Sequence, residues 1–281
     1  MPAPANPAPG AARQVQQLIV TICGLHARGE RPIAVSDLLR LVAGLGVDEG
    51  AARSALSRLK KRGVLVSDRT NGSAAYRLDP ALEDVFAEGD ERIFGHRRAQ
   101  PGDPWVLAAY SVPESQRHLR HRLRKVLAGR GFGTVGAGLW IAPEHVLPHL
   151  RHELEREGLT DFVELFRAEP LGAEARAKVA DWWDLDALGQ RYAAFTAELE
   201  PVRQRWAGSG DAPDSERDAS AFADYVRLLT AWRRLPFLDP GLPAAYLPAD
   251  WPGTAAEQLF TTLHERLSAP AARHAATVMA A

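Results

Sequence analysis

Residues 53–62 read RSALSRLKKR, a stretch with five basic side chains and no acidic one. On an α-helix of about 3.6 residues per turn, its apolar side chains and the alanine before it form one stripe: Ala52, Ala55, Leu56 and Leu59. The opposite face carries Arg53, Ser54, Ser57, Arg58 and Lys61. Arginine binds a guanine edge through two hydrogen bonds, serine serves bases or phosphates, and a Lys-Arg run suits phosphate oxygens. The stretch therefore predicts a recognition helix for the major groove of DNA, with a solvated amphipathic helix as the alternative.

Two amphipathic segments precede this basic helix. Residues 14–27 have apolar side chains at helical spacing, and residues 36–42 predict a short second helix with Ser36 as its N-cap. Gly44 and Gly46 end the second helix, and Asp48 or a neighbour begins the basic one. The order helix, helix, glycine turn, basic helix is that of a helix-turn-helix.

A hairpin is predicted directly after the basic helix. Gly63 ends the helix, and strands at residues 64–67 and 75–78 flank Asn71-Gly72, a dipeptide that tolerates the positive φ values of a tight turn. A basic helix followed by such a wing predicts a winged helix-turn-helix that binds double-stranded DNA. We expect the base readers to be Arg53, Ser54, Ser57 and Arg58. We expect the contacts to the phosphates and at the wing tip to be Lys60, Lys61, Arg69, Asn71 and Arg77.

Charge is concentrated in this module. Residues 13–78 contain eleven Lys or Arg against five Asp or Glu, a balance of +6, whereas the whole chain is at −1, which leaves −7 for residues 79–281. A basic patch on an otherwise acidic protein predicts a local DNA contact with steep salt dependence through counterion release.

Length and composition set a broader frame. A chain of 281 residues predicts two or three domains. Its one cysteine, Cys23, lies in the apolar pattern of the first helix, which favours an inert buried thiol in a reducing cytosol. The first twelve residues, MPAPANPAPGAA, predict a short disordered tail rather than a signal peptide, and no later stretch reaches the ~20 apolar residues of a membrane span. We expect a soluble, cytoplasmic protein without a membrane partner.

A second pattern begins at Trp105. WVLAAYSV, FGTVG, LWIAP and DFVELFRAE read as strands, and two amphipathic segments, ESQRHLRHRLRKVLAGR and EHVLPHLRHELEREG, read as helices between them. The resulting order βαββαβ is that of a ferredoxin-like domain, which hosts many functions.

The last third of the chain is predicted to be helical and rich in aromatic side chains. One helical pattern runs over residues 173–206 and a second over 221–235, and most of their rings are expected in the core. The stretch LDPGLPAAYLPADWPG is expected to form an ordered strap, followed by a final helix capped by Thr254 and ending at Leu267. The expected domains are a winged helix at 13–90, a linker at 91–104, a ferredoxin-like domain at 105–170 and a helical domain at 171–281.

Four separated motifs resemble the PaaX-type repressors of phenylacetic acid degradation. They are ARSALSRLKKRGVL with its wing, RLRKVLAGRGFGTVGAGLWIAP, the Trp183-Asp184-Leu185 segment with Tyr192 and Phe195, and LDPGLPAAYLPADWPG. The resemblance covers about residues 14–268. It implies a winged helix, a middle domain similar to the small subunit of CRISPR adaptation complexes, a helical C-terminal domain, and release from DNA by an aryl-acyl-CoA thioester. The wing departs from the family's arginine-rich tip, because Asn71-Gly72-Ser73 stands there.

A nuclease and a metal site are the alternatives that this middle domain raises. A nuclease of this fold needs a carboxylate at the end of the first strand, where this chain has Tyr110-Ser111-Val112. Five histidines at helical spacing invite a metal interpretation, although surface histidines are commoner: His118, His121, His145, His149 and His152. The first of the two helices, which contains His118 and His121, also carries a set of basic side chains that suit a solvated face, a dimer contact or CoA phosphates: Arg117, Arg120, Arg122, Arg124, Lys125 and Arg130.

The sequence thus predicts an α+β protein with an N-terminal winged helix-turn-helix, a central ferredoxin-like domain and a C-terminal helical domain. It is expected to act as a homodimeric repressor on an inverted repeat in operator DNA and to be released by a small effector such as phenylacetyl-CoA. No cofactor, metal or enzymatic activity is expected, and the effector-binding residues are not identified by the sequence. The alternatives are a DNA-binding architectural or CRISPR-related adaptor without effector control, and a metal-dependent nuclease.

Overall fold

The computed structural model describes residues 9–95, 97–169, 173–208 and 214–280. It contains both helices and two small antiparallel sheets, so the predicted α+β class is confirmed. The chain divides into two compact units. The first unit comprises Met1–Gly89, Glu198–Ala231 and Glu257–Ala281, and the second comprises Asp90–Ala197 and Trp232–Ala256. Each unit therefore combines segments that are far apart in the sequence. Within the described ranges, no helix is long and apolar enough to cross a membrane.

The N-terminal part of the first unit has the element order of a winged helix. Its elements are α1 (Pro9–His26), β1 (Ile33–Ala34), α2 (Val35–Ala43), α3 (Glu49–Lys61), β2 (Leu65–Thr70) and β3 (Ser73–Leu78). The three strands form an antiparallel sheet in the order β1-β3-β2. Of the twelve residues expected as a tail, 1–8 lie outside the described residues, and the remaining four belong to α1.

Local signals account for the boundaries of α3 and the hairpin. Asp48 is the N-cap of α3, and its Oδ1 accepts a hydrogen bond from the Ala51 amide at 3.1 Å. Gly63 follows the helix with φ +67°, a conformation that glycine adopts without steric cost. Asn71 and Gly72 form the hairpin turn with φ of 49° and 79°, as their dipeptide predicts.

Two predicted helix caps are wrong. Helix α2 begins at Val35, one residue before the expected cap, so Ser36 lies in the first turn, where its Oγ donates to Asp37 Oδ1 at 3.0 Å. The last helix, α11 (Pro252–Ala280), begins two residues before Thr254, because proline lacks the N–H that a first helical position leaves unbonded anyway. It also continues well beyond Leu267, with Pro270 inside it.

Two long helices from the C-terminal third complete the first unit together with α11. They are α8 (Leu185–Trp206), which belongs to this unit from Glu198 onward, and α9 (Ser215–Trp232), which belongs to it up to Ala231. Helix α7 (Ala173–Trp182) ends just before Trp183, so the single helical pattern expected over 173–206 is two helices. The buried core includes Ile19 and Ile22 of α1, Leu59 of α3, and Phe222 of α9.

The second unit contains the predicted ferredoxin-like arrangement. Its four strands are β4 (Trp105–Tyr110), β5 (Gly133–Gly136), β6 (Leu139–Pro143) and β7 (Val163–Ala168), in the antiparallel order β5-β6-β4-β7. Helices α5 (His118–Gly129) and α6 (Leu147–Arg156) complete the βαββαβ order, which is confirmed. Pro148 stands in the first turn of α6, where it is tolerated. Helix α4 (Glu83–Phe94) extends into the range expected to be a linker.

Motifs that are far apart in the sequence meet inside the second unit. The Trp183 indole Nε1–H donates to the Gly131 carbonyl oxygen at 2.8 Å, and the Tyr192 hydroxyl donates to Asp239 Oδ2 at the same distance. Asp239 is 2% exposed and also accepts from the Gly241 amide and from Arg98. The strap between the short helix α10 (Leu235–Leu238) and α11 is therefore tied to the rest of its unit by a buried carboxylate.

Candidate nucleic-acid interface

Helix α3 separates a buried apolar face from an exposed polar face. Ala52, Ala55, Leu56 and Leu59 are all at most 3% exposed, as the stripe predicts. The residues expected to read bases lie outward in solvent: Arg53, Ser54, Ser57 and Arg58. Lys60 and Lys61 are also exposed, at the C-terminal end of the helix. The hydrogen-bond donors of this face are therefore accessible to a DNA groove without any change in the fold.

Arg53 is paired within its own helix. Its Nε donates to Glu49 Oε1 at 2.8 Å, and both side chains are more than half exposed. An exposed pair of residues four apart contributes only about 0.3–0.5 kcal/mol, so a base or phosphate can displace Glu49 at little cost. The i, i+4 spacing of Glu49 and Arg53 is a signal that sequence reasoning could have used.

Arg77 is held more firmly. Its Nε donates to Asp68 Oδ2 at 2.7 Å, and its side chain is 28% exposed. The Arg69 amide donates to the other oxygen of Asp68, and this bond together with the Arg77 guanidinium lowers the pKa of the Asp68 carboxyl. Asp68 pairs with Ala75 across the hairpin, so Arg77 is its diagonal neighbour. Arg77 is thus the one predicted phosphate contact that a nearby carboxylate restrains in the described part of the wing.

The wing tip itself is open to solvent. Arg69 and Asn71 are exposed, and they lie one pair from the turn and in the turn itself. Together with α3 they place nine predicted contact residues on one module. Eight of them are cationic or hydroxyl-bearing, the ninth is Asn71, and none is buried. This arrangement suits a helix in the major groove with a hairpin beside the phosphate backbone.

The basic side chains of α5 are divided between ion pairs and open surface. Arg120 pairs with Glu114 at 2.8 Å, Arg122 with Glu157 at 2.7 Å, and buried Arg130 with Glu153. The remaining cations of this segment are exposed: Arg117, Arg124 and Lys125. The structure therefore gives this helix a solvated face and structural ion pairs, while the dimer and CoA interpretations stay predictions.

One polar cavity lies within the second unit. Its volume is about 230 Å³, and its walls include Arg92, Arg97, His145, His149 and Asp239. Arg92 is fixed there, since its guanidinium donates to the Pro236 carbonyl oxygen at 2.9 Å and stacks over Phe237.

The metal-site interpretation finds no support in geometry. Within the described ranges, no three His, Cys, Asp or Glu side chains are grouped so that they could hold an ion. His145 and His149 share the cavity wall, whereas His118 and His121 are exposed on α5. At the end of β4, Ser111 stands where a nuclease of this fold would need a carboxylate, and its amide donates to the Phe162 carbonyl oxygen.

Comparison with known proteins settles the family. Three family profiles match successive parts of the chain: "PaaX-like protein" at residues 14–81, "PaaX protein central Cas2-like domain" at 98–180, and "PaaX-like protein C-terminal domain" at 183–277. Over 251 residues the chain is 30% identical to the transcriptional repressor PaaX of Escherichia coli strain K12, which covers 88% of this chain and 77% of that protein. The chain belongs to the PaaX family.

A solved structure supports the same fold. The uncharacterized protein Rv0674 from Mycobacterium tuberculosis superposes with a TM-score of 0.57 and 24% identity, over 92% of this chain and 98% of that one. The three PaaX segments follow the order of the three expected domains, while the contacts group the chain into two units. The exact domain boundaries stay a prediction.

Two groups of contacts around the candidate interface were not predicted from the sequence. Glu49 was expected to lie favourably near the positive end of the helix dipole but not to pair with Arg53, and Asp68, the partner of Arg77, was not singled out. Helical spacing and hairpin register indicate both pairs. Contacts from α9 and α11 to the helix-turn-helix were missed as well. Arg227 donates to the Leu45 carbonyl oxygen at 3.1 Å, and no local sequence pattern indicates a bond between residues 182 positions apart.

Proposed function

We propose that this chain is a transcriptional repressor that binds double-stranded operator DNA as a homodimer and is released by a small effector. The observation that carries the proposal is the exposed basic face of α3 beside an exposed hairpin. Membership of the PaaX family supports it, since the Escherichia coli relative is named a transcriptional repressor. A repressor acts by binding, so the proposal assigns no catalytic residue.

Recognition is divided between base edges and phosphates. Arg53, Ser54, Ser57 and Arg58 read bases in the major groove, because they lie on the exposed face opposite the buried stripe. The remaining contacts hold the DNA backbone: Lys60, Lys61, Arg69, Asn71 and Arg77. The acidic balance of residues 79–281 keeps the rest of the protein from coating DNA.

The test compares a base reader with a phosphate contact. DNA that the full chain selects from a random pool is used in fluorescence anisotropy at several salt concentrations. Arg58→Ala should cost about 1–3 kcal/mol on the selected site and relax sequence preference, whereas Lys61→Ala should weaken all DNA equally and lower the salt slope by about one. Equal affinities of the parent and Arg58→Ala for the selected site would overturn the assignment, and absence of any selected site would overturn the function.

The proposed dimer follows from the size of the reader. One winged helix covers a half-site, and two half-sites about 34 Å apart, or a multiple of that, supply the specificity that a genome demands. The selected DNA should therefore contain an inverted repeat. Sedimentation should show two chains on each DNA duplex, and a single chain at saturation would contradict the dimer.

The proposed effector is an aryl-acyl-CoA thioester such as phenylacetyl-CoA, bound within residues 105–268. All seven tryptophans of the chain lie outside the winged helix, so intrinsic fluorescence reports binding in the downstream part. A tenfold loss of operator affinity on effector binding requires about 1.4 kcal/mol of coupling, and operator DNA must weaken effector binding by the same factor. Titration of the full chain with phenylacetyl-CoA, acetyl-CoA and free CoA should show tightest binding of the aryl thioester. Operator affinity that no acyl-CoA changes would favour an adaptor without effector control.

A further inference from the structure

Helices from the C-terminal third hold the helix-turn-helix inside the first unit. Arg227 of α9 donates through Nη2 to the Leu45 carbonyl oxygen at 3.1 Å. The hydroxyls of Thr230, also in α9, and Thr21 of α1 are 2.8 Å apart. Arg40 of α2 donates through Nη2 to the carbonyl oxygen of Val278, near the end of α11, at 2.9 Å. These three bonds connect α9 and α11 to α1, to α2 and to the turn that precedes α3.

The Arg227 bond to Leu45 is made to the turn of the helix-turn-helix. Leu45 is in the turn between α2 and α3, where it is 6% exposed, and Gly46 beside it has φ +78°. This turn sets the direction in which α3 leaves α2, and therefore the angle at which its outer face meets a groove. Leu45 lies two residues beyond the end of α2 at Ala43, so its carbonyl oxygen is not an acceptor within that helix. A backbone carbonyl of a buried residue needs a hydrogen-bond partner, which the Arg227 guanidinium supplies.

Aromatic packing holds α9, the helix that carries Arg227, against α1. The Phe222 ring is 1% exposed, and its centroid lies 6.4 Å from that of His26 of α1 and 5.4 Å from that of His274 of α11. Thr230, one turn from Arg227, bonds to Thr21, which is 6% exposed. Helix α9 therefore presents Arg227 at a fixed distance from the turn.

The end of α11 reaches the other side of the same motif. A cavity of about 330 Å³ is lined by Met279 and Ala280, by residues of α2, and by Thr70, Asn71 and Ser73 at the wing tip. Arg40 connects α2 to α11, since it bonds to the Val278 carbonyl oxygen and, within α2, to Asp37 Oδ1 at 2.8 Å. The last turn of α11 thus lies beside both the wing tip and α2.

We propose that Arg227 is a positioning residue for DNA recognition, which acts by fixing the turn at Leu45 and thereby the angle of α3. The inference rests on the proposed DNA binding. It gives the C-terminal helices a defined role, because the direction of the recognition helix depends on a side chain that follows it by well over a hundred residues and touches no DNA. The same bond offers a route by which a change in α9 alters operator affinity.

The experiment measures operator affinity, salt dependence and turn protection in the full chain. The variants are Arg227→Ala and Arg227→Lys, with Arg203→Ala as the matched control. Arg203 is an arginine of α8 in the same unit whose described bonds go to Glu200 of its own helix. Affinity for the selected DNA is measured by anisotropy, and hydrogen exchange of the amides at residues 44–48 is measured without DNA.

Arg227→Ala should weaken binding at least tenfold with an unchanged salt slope, because no phosphate contact is lost. The amides at residues 44–48 should exchange faster in this variant. Arg227→Lys should recover most of the affinity, since an ammonium can still donate to Leu45, and Arg203→Ala should match the parent.

Three outcomes would overturn the proposal. One is unchanged affinity in Arg227→Ala, the second is a salt slope lower by about one, which would make Arg227 a direct phosphate contact, and the third is loss of folding, which would make it structural. Failure of the proposed function is a separate result, because the parent would then select no DNA, whereas the exchange measurement still reports on the turn.

Discussion

Individual carboxylates decide how available the predicted DNA contacts are. Asp68 binds Arg77 at 2.7 Å, and Glu49 binds Arg53 at 2.8 Å. Both acids stand in a module with a balance of +6, and each one pairs with an arginine that we expect to contact DNA. We expect these pairs to limit nonspecific binding by the basic module of the free protein, in addition to the effect of the acidic balance of residues 79–281.

Removing the charge of Asp68 should strengthen DNA binding. In Asp68→Asn, the amide oxygen still accepts from the Arg69 amide, but Arg77 is released toward phosphates. We expect tighter binding to any DNA and a salt slope steeper by about one, measured by anisotropy at 50–200 mM salt. Asp84→Asn, an exposed acid of α4 in the same unit, controls for the change in net charge. Equal effects of the two substitutions would show that Arg77 is not released.

At the scale of elements, β5 shows that the role of a glycine depends on which side chains pack against it. The sequence indicates that Gly131, Gly133, Gly136 and Gly138 serve turns in a compact sheet. Gly131 and Gly138 do so, with φ of 80° and 78°. Gly133 has another role, because a Cβ there would lie 2.6 Å from the Trp183 ring. Strand β5 therefore packs closely against the segment before α8. The residues of the strand do not by themselves indicate this contact.

Two alanine substitutions in β5 separate packing from backbone freedom. Gly133→Ala should destabilise the protein by about 1–3 kcal/mol, the usual cost of overpacking a core. Gly136→Ala, with no atom within 4 Å of its added Cβ, should stay within about 0.5 kcal/mol of the parent. The free energy of unfolding in urea measures both. A red shift of tryptophan fluorescence in Gly133→Ala alone would trace the effect to Trp183, and equal stability of the two variants would contradict the packing argument.

At the scale of the whole molecule, burial of histidines couples stability to pH. Desolvation lowers the pKa of His26, His264 and His274 below the ordinary 6.5. The unfolded chain therefore binds more protons than the folded one once the pH falls to about 6.5 and below. The corresponding stability is fully present above pH 6.5 and is lost as the pH falls toward the folded pKa values.

The expected result is a free energy of unfolding that decreases between pH 7.5 and 5.5. Urea unfolding at three pH values measures it. His274→Asn should make the pH dependence shallower, whereas His118→Asn, at an exposed position of α5, should leave it unchanged. A free energy that does not vary over this range would mean that these partly buried histidines have the same pKa in the folded and the unfolded chain, and would contradict the desolvation argument.

The sequence by itself determined the parts whose causes are local. The apolar stripe of α3, its Asp48 cap and the Asn71-Gly72 turn each act within a few residues, so periodicity and turn chemistry predict them. The nine predicted DNA contacts follow from the same stripe, although their roles stay predictions. The βαββαβ order was also predictable, because alternating strand and helix patterns leave few ways to bury both helices on one sheet.

Only the tertiary structure decided which elements meet. Periodicity shows that α9 and α11 have apolar faces, but not that these faces pack on the winged helix, since any apolar face can bury any other. The Arg227 bond to Leu45 and the Tyr192 bond to Asp239 join residues 182 and 47 positions apart. The caps expected at Ser36 and Thr254 were wrong because both helices begin earlier, α2 at Val35 and α11 at Pro252. The sequence specified faces and turns, and the choice among partners required the folded chain.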